Sequence, residues 1–454
     1  MTLKVAKFGG SSLAAASQIA RVRQIVADDP QRRYVVPSAP GKRHVDDQKI
    51  TDMLYLCHEH ARQGLPFGEV FALVAERYRN ICTELGLALD MQRHLDEAAA
   101  GIEHHAHYGG RPDFAASRGE YLNGLILAEV LDCPFIDAAE LIRFNARGRL
   151  DQETTYRTVA DRLARVERAV IPGFYGRGHD GEIRTFSRGG SDVTGAVIAR
   201  GVSASLYENW TDVAGLLMAD PNIVDHPSII DRITYRELRE LAYMGATVLH
   251  DEAIFPVRDA GIPVNIRNTN EPDDPGTMIV PEAAPVAHTR TITGIAGQRD
   301  FTVIAIEKAL MNAEVGFARR VLSVLERHDV SIEHMPSGID TLSVVVSDGQ
   351  LDGKLEDLMH ALRAEVQPDA LEVYPDMALI ATVGRGMAYT PGMAGRLFMA
   401  LGSTGVNVRM IDQGSSELNI IVGVAAADFE HAVRAIYDAF VHDTPATSAA
   451  PATP

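Results

Sequence analysis

The sequence predicts an α/β protein: a largely parallel sheet between helices over residues 1–285, followed by two ferredoxin-like β-α-β-β-α-β units. Three observations carry this. Short apolar runs alternate with amphipathic helical patterns from Leu3 to Arg267, and glycine-rich turns stand where strands give way to helices. Past about residue 290 the rhythm changes and then recurs.

Leu3 to Phe8 reads as a short strand running into Gly9-Gly10-Ser11-Ser12, after which Ile19, Val22, Ile25 and Val26 mark a helix face. Lys7, at the strand end, can reach a phosphate at the helix N-terminus, and Ser11 or Ser12 can cap that helix. Arg33 to Val36 is the next strand, and Thr51-Asp52 stands where a capped helix should begin. Residues 65–107 read as helical, and the histidines of this stretch and just before it, His58, His60, His104, His105 and His107, are placed on a solvated surface rather than on a metal. Ser117-Arg118-Gly119-Glu120 opens an apolar helix, with Glu120 expected in its first turn.

Arg168 to Phe174 reads as a buried strand closing on a Pro-Gly turn. The stretch Ser187-Arg188-Gly189-Gly190-Ser191-Asp192 then feeds a packed helix. Paired glycines let backbone N–H groups approach a ligand, Ser191 is a candidate N-cap, and Arg188 supplies a bidentate clamp for carboxylate or phosphate. A strand over residues 204–210 ends at Thr211-Asp212; Tyr235 to Met244 forms an amphipathic helix, Gly245 to His250 starts another, and residues 262–267 supply a late strand. Parallel sheets place ligands at the carboxyl ends of their strands, where these hydroxyls, lysine and glycines gather.

Beyond a linker at 281–287, residues 301–375 read as a first β-α-β-β-α-β unit, with strands at 301–306, 330–335, 342–346 and 371–374. The second unit, residues 376–441, stops one strand short, and residues 291–298 are the simplest source of the missing strand. Residues 443–454, rich in Pro, Ala and Thr, read as a disordered tail.

Composition narrows the function. Of 454 residues, 46% are hydrophobic and 23% charged, enough for full cores in two or three domains. A net charge of −18 without a long basic run excludes nucleic acid as a partner, so an anionic ligand must be held by local groups. Cys57, Cys82 and Cys133 are far apart, which indicates neither zinc nor disulfides and fits a reducing cytosol. No charged-then-apolar leader opens the chain and no apolar run approaches the roughly 20 residues that span a bilayer, so a cytoplasmic protein without membrane contact is expected.

Lys7 to Ser12, Ser117 to Glu120, Arg188 to Asp192, Trp210-Thr-Asp-Val213, Ala219-Asp-Pro221, Gly245-Ala246 with Val248-Leu-His250, and the paired C-terminal units together resemble the aspartate kinase family, over nearly the whole chain and in its order. The resemblance implies the amino acid kinase fold over 1–285 followed by ACT domains at 301–375 and at 291–298 plus 376–441. It implies phosphoryl transfer from MgATP to the β-carboxylate of L-aspartate. Lys7 would be the phosphate-binding lysine, with Gly9, Gly10 and Ser11 as the phosphate cradle. Glu120 would hold the substrate ammonium and Arg188 its carboxylate; Ser38, Thr51 and Ser191 would line the aspartate pocket. Asp192 would organise the transferring phosphoryl, and Thr211 and Asp212 would meet the nucleotide, with no resident metal site besides the Mg²⁺ of the nucleotide. A carboxylate substrate is already ionised at neutral pH, so no general base is required.

Where the resemblance implies a tyrosine, an arginine and a lysine, this chain carries Leu217, Asn222 and Thr247. A lost charge-assisted contact costs about 1.5–3 kcal/mol, which keeps a catalytically weak, amino-acid-sensing protein as an alternative, beside a kinase for another carboxylate amino acid. The resemblance also implies feedback by lysine or threonine at Met311, Glu314, Val315, Ile332 and Glu333, and a homodimer formed through the ACT units.

Overall fold

The computed structural model describes residues 2–187, 189–246, 251–282 and 290–442. They cluster into two compact units. The first is drawn from Met1–Leu216, Ile229–Tyr235 and Val248–Pro285, the second from Leu217–Ser228, Arg236–Thr247 and Val286–Pro454.

The first unit is built on strands β1 (Lys4–Phe8), β2 (Arg32–Pro37), β3 (Ala169–Val170), the small hairpin β4 (Tyr175–Arg177) and β5 (Ile183–Thr185), then β6 (Leu206–Thr211), β7 (Arg232–Thr234), β8 (Val264–Asn268) and β9 (Thr277–Val280). Seven of them form one sheet in the order β3-β2-β1-β6-β8-β9-β7, parallel except where β8 meets β9. Central strands β1 and β6 are almost continuously buried, as expected of a parallel sheet covered on both faces. Their register sets Lys7 beside Asn209 and Phe8 beside Trp210. Helices Ile50–Arg62, Gly68–Leu85, Met91–His107 and Asp113–Val130 contribute to a core that includes Leu54, Tyr78, Leu95 and Ile126.

The second unit carries an antiparallel sheet of β10 (Gly294–Glu307), β11 (Thr341–Ser347), β12 (Ala370–Val383), β13 (Met410–Asp412) and β14 (Asn419–Ala425), in the order β11-β10-β12-β14-β13. The expected separate strands at 301–306 and 371–374 are parts of longer ones. Residues 301–307 of β10 pair with β11 and with the start of β12, while Gly294–Gln298 pair with Leu379–Val383. The change of partner coincides with register shifts around Gln298 and Phe301, and Asp300 and Asp376 adopt positive φ close by. The expected strand at 330–335 reduces to an isolated bridge at His334, with a second at Ser337; Pro336 between them has no N–H to give a continuous ladder with β11. The edge strand β13 is confined to the three residues Met410–Asp412.

Several local expectations are corrected. The helix after β1 starts at Ala16, after a short 3-10 turn at Ser11–Leu13, and its N-cap is Ala15, so neither serine caps it. Thr51 lies inside the helix Ile50–Arg62, whose N-cap Lys49 makes no side-chain cap bond. The helix containing Glu120 starts at Asp113, which places Glu120 in its middle rather than its first turn. His58 is buried rather than solvated, because position 58 falls on the inward stripe of its helix with Leu54 and Cys57. The expected helix start at 247–250 and the tail at 443–454 lie outside the described residues.

Candidate active site

Lys7 is buried near the end of β1 and is followed at once by the glycine turn. The Gly9 N–H donates to the Trp210 carbonyl at 2.9 Å and the Gly41 N–H donates to the Gly10 carbonyl at 2.8 Å, so the turns after β1 and β2 lock together. Only glycine fits at this crossing: a Cβ on Gly41 would lie 2.5 Å from the Gly10 carbonyl carbon, and one on Gly10 2.9 Å from the Ala39 oxygen.

The helix Gly190–Gly201 begins behind Gly189, whose φ of 53° is left-handed. Gly189 is therefore the N-cap, and Ser191 sits within the first turn instead of capping it. Asp192 in that turn receives the Lys7 ammonium on Oδ1 at 2.6 Å. Asn209 Nδ2 donates to the same oxygen at 2.8 Å, and Tyr207 donates its hydroxyl to the Asp192 carbonyl at 3.1 Å. Phe174 packs over this turn with φ at 80°, a strained setting for a bulky residue. Thr194 Oγ1 accepts the Phe174 N–H at 2.9 Å and helps to hold it there.

From the other strand ends, Ser38 donates its N–H to the Phe8 carbonyl at 3.0 Å, and its own carbonyl accepts from Asn123 Nδ2 at 2.6 Å. Glu120 is buried, and burial pushes its carboxyl up to about 8 although N–H groups of Ala39 and of Glu120 itself pull the other way. Its Oε2 has no hydrogen-bond partner. A buried carboxyl with an open acceptor site calls for a cation or a donor from a ligand.

These residues meet. Lys7, Ser38, Thr51, Glu120, Ser191 and Asp192 line one cavity of about 220 Å³, together with Phe174, Gly189 and Gly190. Six side chains expected from separated stretches of sequence thus share a space at the carboxyl edge of β1 and β2. Gly9 is adjacent, since a Cβ there would lie 3.7 Å from Lys7 Nζ. Thr211 closes β6 beside this turn, and its hydroxyl donates to Asp212 Oδ1 at 3.1 Å. Ser11 opens the following 3-10 turn. Arg188 and Thr247 lie outside the described residues.

In the second unit the five candidate effector residues occupy unlike surroundings. Met311 is buried in a core with Phe317 and Val321, against which Ile332 packs, while Val315 is 95% exposed. Glu314 is already paired, with Lys308 Nζ at 3.2 Å and with Arg320, and Glu333 accepts from the Tyr243 hydroxyl. Asn222 turns its amide onto Asp220 Oδ1 at 2.9 Å.

Sequence reading missed Phe174, Asn123 and Asn209. For Asn209 a signal existed, since Glu208-Asn209 places two polar residues inside a strand whose neighbours are apolar. For Phe174 none did, because left-handed backbone at a phenylalanine is imposed by its surroundings.

Among the described residues no helix is long and apolar enough to cross a membrane. The model of the Amino acid kinase family matches residues 2–268, and that of the ACT domain matches residues 380–440. The chain is 38% identical to Aspartokinase 3 of Bacillus subtilis (strain 168), over 96% of this chain and 98% of that one. Its structure resembles that of Clostridium acetobutylicum aspartate kinase, with a TM-score of 0.87, 54% identity and coverage of 97% of this chain and 100% of that one. It also resembles E. coli aspartokinase III solved with aspartate and ADP, with a TM-score of 0.71, 26% identity and coverage of 96% and 99%. The same E. coli protein with lysine and aspartate gives a TM-score of 0.69 at 26% identity, covering 97% and 99%. Matched along almost its whole length by aspartokinases in both sequence and fold, the chain belongs to the amino acid kinase family, among its aspartokinases.

Proposed function

We propose that the chain transfers the γ-phosphoryl group of MgATP to the β-carboxylate of L-aspartate, giving 4-phospho-L-aspartate and ADP. The observation that carries this is the convergence of Lys7, Glu120 and Asp192 with the hydroxyls of Ser38, Thr51 and Ser191 on one cavity. A zwitterionic acid needs a buried anion for its ammonium and donors for its carboxylates, and Glu120 with these hydroxyls supplies them. Arg188 is assigned the substrate's α-carboxylate on its motif alone.

The β-carboxylate oxygen attacks the γ-phosphorus as the bond to the bridging oxygen of ADP breaks, and ADP leaves with that electron pair. Positioning and charge neutralisation do the work, since the nucleophile carries no proton to remove. Lys7 approaches the phosphoryl oxygens, Asp192 holds the Lys7 ammonium in place, and the Gly9–Gly10 turn admits phosphate close to the backbone. Thr211 and Asp212 meet the nucleotide, and Mg²⁺ arrives as part of the nucleotide complex. Turnover is tested by trapping the acyl phosphate with hydroxylamine in the presence of ATP, Mg²⁺ and aspartate. Hydroxamate formed with glutamate but not aspartate, or none under any condition, refutes the reading.

Regulation is assigned to ACT domains at 301–375 and at 291–298 plus 376–441, behind a catalytic domain at 1–285, in a cytoplasmic homodimer serving lysine and threonine synthesis. The lysine complex of the E. coli relative supports lysine as effector. Because Glu314 is neutralised by Lys308 and Arg320, a cationic effector must displace one of them. Inhibition of hydroxamate formation by lysine, with threonine in parallel, checks this.

A further inference from the structure

The Lys7–Asp192 pair does not stand alone, and its third member belongs to neither the lysine turn nor the Asp192 helix. Asn209 lies on β6 directly beside Lys7 in the parallel register, so the two side chains leave the sheet on the same face. Two residues earlier on that face, the Tyr207 hydroxyl reaches the Asp192 backbone. Asn209 is 4% exposed. Its amide is used at both ends: Nδ2 donates to Asp192 Oδ1 at 2.8 Å, and Oδ1 accepts from Lys7 Nζ at 3.4 Å. Asp192 Oδ1 therefore holds two donors, while Oδ2 is directed towards the Gly189 turn, 3.6 Å from where a Gly189 Cβ would stand.

We infer that Asn209 is a positioning residue for phosphoryl transfer, whose amide holds the Asp192 carboxylate and the Lys7 ammonium in fixed mutual orientation at the cavity wall. The inference rests on the kinase reading above. An amide is the side chain that meets this demand, because it donates to the carboxylate and accepts from the ammonium without adding charge. A carboxylate at 209 would set like charges against Asp192, and a leucine would leave buried Lys7 and half-buried Asp192 each one bond short. Without that bond Asp192 and Lys7 can each turn while the sheet and helix stay folded, and a displacement of about 1 Å at such a group costs one to two decades in rate.

The test compares wild type, Asn209→Leu and Asn209→Asp. For Asn209→Leu, kcat should fall about 10- to 100-fold with the KM for aspartate changed less than about threefold, since the amide acts through groups assigned to the transferring phosphoryl. A crystal structure of that variant should show Lys7 Nζ and Asp192 Oδ1 separated beyond ion-pair distance. Asn209→Asp should lose kcat at pH 8 and recover towards wild type as the pH falls, because a protonated carboxyl donates to Asp192 as the amide does. A merely structural role would lower the thermal midpoint and produce no such pH-dependent recovery. The inference is overturned if the ion pair persists in the Leu variant, or if kcat there stays within twofold of wild type. Absence of turnover in the wild type would refute the kinase reading instead, and the crystal structure would still decide whether Asn209 orients the pair.

Discussion

Phe174 covers Gly190 so closely that a Cβ at Gly190 would lie 2.3 Å from the Phe174 ring and 3.0 Å from its Cα. In most helices alanine is preferred to glycine by about 1 kcal/mol. Here the added methyl meets a backbone already strained at φ 80° and pushes the aromatic wall of the cavity outward. Gly190→Ala is expected to raise the KM for aspartate at least about tenfold, with a lower thermal midpoint. Steady-state kinetics and a melting curve check both, and an unchanged KM would detach Phe174 from the substrate.

With Glu120 holding the substrate ammonium as proposed, substrate binding is expected to be proton-linked. Its carboxyl, raised by burial from 4.5 to about 8, is largely protonated at pH 7 in the free protein, and pairing with a substrate ammonium ionises it. Aspartate binding at pH 7 should release about one proton, and its affinity should rise with pH towards about 8. In the free protein, protonation is favoured by the folded state. This group's contribution is therefore greatest below about pH 4.5 and declines as pH rises to about 8, by at most about 1.4 kcal/mol per pH unit. Calorimetry in buffers of different ionisation enthalpy measures the proton; Glu120→Gln should abolish its release.

Lys7→Ala and Asp192→Ala should each lower kcat by about two to four decades while the far-ultraviolet circular dichroism stays native, because the proposed role of the pair is on charge that develops in the transition state. The double variant should be little worse than either single one, since the residues act as a unit. Full additivity in hydroxamate assays would show that they act separately.

Arg77, buried on the helix Gly68–Leu85, donates to the Gly41 carbonyl at 3.0 Å and to Asp47 at 2.6 Å. It thereby ties the loop after β2 to that helix, next to the Gly10–Gly41 crossing. Arg77→Met removes one partner of a buried pair and should cost roughly 2–4 kcal/mol in urea unfolding. It should also raise the KM for ATP, because the Gly9–Gly10 turn loses its brace. The Asp47 carboxyl is held well below the usual range, first by its bonds to Arg43, so the stability it adds at neutral pH is lost on acidification through the acid range. A wild-type ATP KM in the Met variant would limit Arg77 to stability.

How far the chain could be read depended on where each signal resides. Lys7, the Gly9–Gly10 turn and the Gly189–Gly190 turn were legible because their chemistry is local: a charge at a strand end and backbone freedom at a turn. Glu120 shares a cavity with Lys7 and Asp192, but from mid-helix rather than a first turn, as its helix starts earlier, at Asp113. Caps failed at Ser11, Thr51 and Ser191 for a common cause. A hydroxyl caps only if the loop path turns it back over the first free N–H groups, and that path is set by neighbouring strands.

The sequence by itself determined the alternation of strand and helix, the glycine turns, and the residue types able to hold a dicarboxylic amino acid and a phosphate. Only the tertiary structure decided that Asn209 stands beside Lys7, that Phe174 is held left-handed over Gly190, and that β10 and β12 run on through both halves of their sheet. The physical reason is that propensity and periodicity act over a few neighbouring residues. Register, burial and the desolvation that raises Glu120 arise from segments far apart in the chain, and come into being only when those segments pack.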